Sequence, residues 1–207
     1  MKISIYGDSY IEYLKTSRHA SNIVRMTDSR GERHSIHLQG KPGLPAARAT
    51  FRRSDQDVVI IHVGGNDFQI KPGVMQSSTP LQVINRLTTL VEEVRYHSPL
   101  ARILIMEVLP RFASTSGHPK YRMNSLQAAQ FRTWAAEVNQ RVENLWGHGG
   151  RDGVYAFHSR EFHRLHTGHI DYMARDGVHL NEKGLYRFAR DVRYAVLFGV
   201  KQRLLLD

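Results

Sequence analysis

Short, nearly continuous apolar runs alternate with longer amphipathic ones along this chain. Ile3, Ile5 and Tyr6 open it as a strand, and "DVVIIHV" repeats the pattern with a buried-type strand over Val58–Val63. "ARILIMEVLP" is a third such run, ended by Pro110, and "GVYAFHSR" another. A further strand is expected at Ser35–Leu38, with Gly31 in the turn before it. Between these runs the period changes to that of a helix. Tyr10, Ile11, Tyr13 and Leu14 recur at helical spacing, and in "PLQVINRLTTLVEEVRYH" Leu81, Ile84, Leu87, Leu90, Val91 and Val94 form a stripe. "NSLQAAQFRTWAAEVNQRVENLW" offers Leu126, Ala129, Phe131, Trp134, Val138, Val142 and Leu145 for burial. "GLYRFARDVRYAVLFG" sets Phe188, Val192, Ala195 and Val196 opposite Arg187, Arg190 and Arg193.

Strands that are apolar on both faces, each followed by a helix, predict an α/β protein. The expected architecture is a three-layer α/β/α sandwich around a mostly parallel sheet of about five strands. With 207 residues and no repeat or linker-like stretch, a single domain over 1–207 is expected. In such sheets ligands bind outside the carboxyl ends of the strands. "GDS" at 7–9, "GKPG" at 40–43, "GGND" at 64–67 and "PRFASTSG" at 110–117 all fall in loops of that kind.

Composition narrows the picture. No apolar run is long enough to span a membrane, and the first residues lack a signal-peptide core, which fits a cytoplasmic or nuclear location. Cysteine is absent, which excludes disulfides and thiolate chemistry. The net charge is +10, and arginine supplies 22 of the 29 basic residues. Arginine forks suit phosphate, so RNA or an anionic membrane surface is a candidate partner, against the alternative of a merely solvated basic face. "RATFRR", with Arg48, Arg52 and Arg53, is read the same two ways.

The first loop poses the question of chemistry. Gly7, Asp8 and Ser9 stand where a strand hands over to a helix, so Asp8 or Ser9 can cap that helix. A helix start also presents backbone N–H groups to negative charge. Four short motifs settle how this is read: "YGDSY" at 6–10, "GKPG" at 40–43, "GGND" at 64–67 and "DGVHLNEKG" at 176–184. Taken in this order the chain resembles the SGNH (GDSL-type) hydrolase superfamily from end to end. That resemblance implies a flavodoxin-like SGNH fold and a serine esterase that works without a cofactor. Its motifs place the nucleophile on Ser9 and the Asp-x-x-His pair on Asp176 and His179. They place the oxyanion hole on the N–H groups of Ser9 and Gly43 and the amide of Asn66, with Gly40 as the competing register. Tyr10 departs from the usual leucine after Gly-Asp-Ser, and Leu44 stands where many members have a polar residue.

Elementary chemistry agrees with the assignment. A serine hydroxyl needs a base, histidine titrates near neutral pH, and a carboxylate on its other nitrogen fixes the tautomer. Donors converging from separate loops would stabilise the oxyanion. No Gly-x-Ser-x-Gly elbow is present, which argues against the common α/β-hydrolase arrangement. The implied substrate is a small acyl ester, acetyl above all, or a lipid ester. Phe68 and Phe112 are candidates for lining its pocket, with plain core as the alternative. The chain is also similar to the esterase domains in first-frame proteins of some non-LTR retrotransposons, which implies RNA or lipid nearby. Platelet-activating-factor acetylhydrolase-like and carbohydrate acetylesterase branches are equally open, as is a non-catalytic RNA-binding domain of the same fold. "FHSREFHRLHTGH" holds His158, His163, His166 and His169, but its spacing matches no helical ligand pair, and no metal is expected.

Overall fold

The computed structural model describes residues 1–27, 31–68, 78–116, 123–147, 149–159, 162 and 171–205. Five strands form its sheet: β1 (Lys2–Gly7), β2 (Ser35–Gly40), β3 (Val58–His62), β4 (Arg102–Met106) and β5 (Val154–Phe157). Their spatial order is β2-β1-β3-β4-β5, and every pairing is parallel. The helices are α1 (Ser9–Thr16), the single turn α2 (Ser21–Val24), α3 (Pro80–His97), α4 (Ser125–Trp146) and α5 (Glu182–Leu204).

The continuous apolar strands are explained by what covers them. Ile3, Ile5, Val58, Ile60, Leu104 and Met106 face α1, α2 and α5, where they meet Ile11, Leu14, Ile23, Phe188, Val192 and Val196. Their neighbours Tyr6, Val59, Ile61, Ile103 and Ile105 face α3 and α4, meeting Val83, Leu87, Val91, Phe131 and Val138. Period-two alternation therefore survives, but both sides are core. A polar side chain inside this sheet finds a partner: Ser4 Oγ donates to Gln56 Oε1 at 2.7 Å.

Two expected stripes shift at their ends. Leu81 is exposed and Val83 takes its place, because at 100° per residue Leu81 points about 120° away from the centre of the α3 stripe. On α4 the buried line runs through Ala128, Phe131, Ala135, Val138, Asn139 and Val142, which leaves Leu126, Ala129 and Leu145 outside it. Both helices start at a complete capping box, Thr79 with Gln82 and Asn124 with Gln127, which fixes where the helical phase begins.

The chain leaves β1 toward β2 on one side and returns to β3 on the other. Loops that follow β1 and β3 thus diverge and leave a crevice at their carboxyl ends, the switch point where such sheets take ligands.

Candidate active site

Ser9 is the first residue of α1, at the end of β1, and is only 7 % exposed. Asp8 caps the helix: its Oδ1 accepts the Tyr10 N–H at 3.0 Å, and its own N–H donates to the His62 carbonyl at 3.2 Å. Capping therefore falls to Asp8, and the Ser9 hydroxyl is not needed for it. Behind the cap, His62 Nδ1 lies 3.4 Å from Asp8 Oδ1, within ion-pair reach but misaligned for a hydrogen bond.

Asp176 and His179 occupy the turn before α5. Asp176 Oδ2 and His179 Nδ1 are 2.6 Å apart, and Asp176 Oδ1 accepts the N–H groups of Val178 and His179, each at 2.9 Å. Burial pushes the Asp176 pKa up, but the hydrogen bonds from the His179 backbone, the imidazole and Val178 outweigh it and hold the carboxyl below its ordinary value. Nδ1 is the nitrogen that faces the carboxylate, which fixes the orientation of the ring.

Helix α1 reaches this turn at two points. The Tyr10 hydroxyl donates a short hydrogen bond to the Val178 carbonyl, and the Tyr13 ring meets the His179 imidazole edge-on with centroids 5.1 Å apart. Ser9 and Tyr13, four residues apart, share one face of α1. The imidazole is thus held against α1 through Tyr13, one helical turn along from Ser9.

The loops after β2 and β3 come together on the same rim. Asn66 Nδ2 reaches the Leu44 carbonyl at 3.4 Å, which sets the amide beside Gly43. Asp67 joins the two loops: its carboxylate accepts the N–H groups of Ala46 at 2.6 Å and Ala47 at 3.2 Å and caps the short 3-10 turn Ala46–Arg48. Burial raises the Asp67 pKa, and those two N–H groups pull against it. The two glycines differ in kind. A Cβ on Gly40 would collide with the Glu12 backbone, so Gly40 lets α1 pack on the end of β2. Gly43 has φ +70° with open space around it, a turn position in a loop at the crevice.

Other expectations end differently. Phe68 is fully buried against Phe131 and Trp134, and Phe112 is 7 % exposed under the Arg132 guanidinium. Both pack into the core, Phe68 in the cluster beneath α3 and α4 and Phe112 in the cluster on the α1 and α5 side. His163, His166 and His169 lie outside the described residues. His158 sits between two carboxylates, with Nδ1 2.6 Å from Glu107 Oε1 and Nε2 2.6 Å from Glu143 Oε2. No group of three or more metal-ligating side chains occurs among the described residues. Arg48, Arg52 and Arg53 are exposed.

Sequence reasoning missed Arg111. Its guanidinium is buried, lies 4.7 Å over the Phe131 ring and donates to Asn66 Oδ1 at 2.9 Å. The only signal was an arginine next to Pro110 at a strand-end loop, which reads as surface charge until the fold closes over it.

The chain belongs to the GDSL-like lipase/acylhydrolase family, whose model matches residues 5–186. Among solved structures it is similar to the acetyl xylan esterase AlAXEase, with a TM-score of 0.64 and 14 % identity over 95 % of this chain and 100 % of that one. A member of the lipolytic G-D-S-L family from Veillonella parvula gives 0.61 and 16 %, over 95 % and 96 %. A carbohydrate esterase family 2 enzyme with a carbohydrate-binding domain, from Corynascus thermopiles, gives 0.59 and 15 %, over 97 % and 66 %. No curated protein matches the chain. Family membership and fold support a carboxylic ester hydrolase.

Proposed function

We propose that this protein hydrolyses short-chain acyl esters, acetyl esters first, through an acyl-Ser9 intermediate. The observation that carries the reading is the 2.6 Å Asp176–His179 pair, with its imidazole against Tyr13 of the helix that Ser9 opens. In the first step His179 Nε2 takes the Ser9 Oγ proton as the oxygen attacks the acyl carbonyl. The tetrahedral oxyanion is held by the N–H groups of Ser9 and Gly43 and by Asn66 Nδ2. Collapse breaks the ester C–O bond, and the leaving alkoxide takes the proton from His179. Water then gives its proton to His179 as it attacks the acyl-serine; collapse breaks the acyl–Oγ bond, Ser9 Oγ takes the proton back from His179, and the carboxylic acid leaves. Asp176 stays ionised throughout and steadies the imidazolium. Short acyl groups are favoured because Phe68 and Phe112, the nearest candidates for an acyl channel, are committed to the core. The acetyl preference also agrees with the acetyl xylan esterase of similar fold.

The test is hydrolysis of a p-nitrophenyl acetate-type ester. Ser9→Ala is expected to lower kcat by about 10⁴-fold or more, and a rate equal to wild type rejects the mechanism. A series from acetyl to octanoyl esters sizes the pocket: falling kcat/KM with length supports the short-chain reading.

A second reading, binding of single-stranded RNA, is favoured by one surface. Between α2 and α5 lies a cavity of about 350 Å³ lined by Tyr186, Arg190, Arg193, Tyr194 and His19, away from Ser9. Tyrosines interleaved with arginines on a +10 chain provide stacking platforms beside phosphate ligands. Its signature is an affinity that drops steeply with salt, and a flat response rejects it.

A further inference from the structure

Asparagine amides are ambiguous: oxygen and nitrogen occupy nearly the same space, and the hydrogen-bond partners decide which end faces where. At Asn66 the partner is an arginine. A guanidinium has five donors and no acceptor, so the amide end it meets at 2.9 Å must be Oδ1. Turning the amide over would set two donors against each other. Nδ2 then faces the Gly43–Leu44 loop, and its two hydrogens can serve the Leu44 carbonyl and an oxyanion together.

Arg111 is itself held. It is 7 % exposed, stacks over Phe131, and its Nη2 lies beside Gly65, where Asp8 Oδ2 also approaches. Asn66 is thus gripped from one side by a buried cation and from the other by the Leu44 carbonyl.

We propose that Arg111 is a positioning residue that fixes which end of the Asn66 amide faces the oxyanion. The inference rests on the esterase reading above and adds the group that orients one of its oxyanion donors.

The experiment is a double-mutant cycle on short-chain ester hydrolysis. Arg111→Met in the wild-type background is expected to lower kcat about 10- to 100-fold with KM changed less than about 3-fold, because an unfixed amide withdraws an oxyanion donor. In an Asn66→Ala background the same substitution is expected to change kcat less than about 3-fold, since the amide it positions is gone. Arg111→Lys keeps a donor and is expected to recover part of the loss. Equal losses in both backgrounds overturn the inference. If Arg111→Met shows no cooperative thermal transition, Arg111→Lys decides in the same two backgrounds. A kcat loss of about 5- to 20-fold with Asn66 present and less than about 3-fold with Asn66→Ala supports the inference, and equal losses, or none, overturn it. An inactive Ser9→Ala with an additive cycle rejects this inference alone, whereas an active Ser9→Ala rejects the esterase mechanism and the inference with it.

Discussion

Asp176 shows how one carboxyl can be committed to a single protonation state. Three hydrogen bonds converge on it, and together they hold its pKa below the ordinary value despite burial. A folded pKa that lies below the unfolded one stabilises the protein above the unfolded value of 3.8 and loses that contribution as pH falls through the folded value. The turn before α5 should therefore loosen only in strong acid. Asp176→Asn keeps the shape but removes the charge that steadies the imidazolium: kcat is expected to fall by about 10³- to 10⁴-fold, and the melting temperature at pH 7 to drop as well, because the ionised carboxyl stabilises the fold there. A loss under 10-fold in steady-state ester hydrolysis contradicts this role. Tyr10 belongs to the same scale. Burial raises its pKa, with Arg111 pulling the other way, so it stays a neutral donor to Val178 across the working pH range.

Elements are fastened to each other at the carboxyl end of the sheet by a second charged group. His158, just after β5, bridges Glu107, just after β4, and Glu143 of α4. The hydrogen bond to Glu107 raises the imidazole pKa, burial lowers it, and the bond to Glu143 raises it again, with a net value of about 9. Because the folded pKa lies above the unfolded one of 6.5, the stabilisation is complete below pH 6.5 and is lost as pH rises through about 9. His158→Gln is expected to lower the melting temperature by several degrees at pH 6 and by almost nothing at pH 10. Thermal melts at both pH values check this, and an equal deficit at both refutes the bridge. Helix α1 offers a contrasting fastening, since Gly40 admits the Glu12 backbone where any side chain would collide.

At the level of the whole molecule, charge rather than packing sets the outward behaviour. Helix α5 turns Phe188, Val192 and Val196 inward, and about 100° to 200° around its axis it presents Tyr186, Arg190, Arg193, Tyr194 and Leu197. For single-stranded RNA in low salt, Arg193→Glu and Tyr194→Ala are each expected to weaken binding about 10-fold while ester hydrolysis stays at the wild-type rate. The loss for Arg193→Glu should shrink as salt rises, because it acts through phosphate counterions. Anisotropy titrations with RNA and with anionic vesicles separate the two polyanions. Unchanged RNA affinity in both variants removes this surface from consideration.

Much of this protein can be read from the chain alone. Buried strands, helical stripes and the four loop motifs depend on residues near one another in sequence, so periodicity and turn chemistry expose them. The α/β architecture, the parallel sheet and the candidates Ser9, Gly43, Asn66, Asp176 and His179 are all visible at that range. The stripe ends at Leu81 and Leu126 were misjudged because an apolar residue at a helix end was counted with the stripe, although 100° per residue already turns it away from the buried face. For Phe68 and Phe112 the chain leaves pocket and core as alternatives, because an apolar residue after a strand serves either, and the structure buries both side chains. Arg111 escaped because an arginine reads as exposed unless some distant ring and carboxyl enclose it. Sequence by itself determined which residue types stand at the strand ends. Only the tertiary structure decided which of them meet, since Asn66 meets Arg111 and Tyr10 meets Val178 across separations of up to 168 residues that no local pattern encodes.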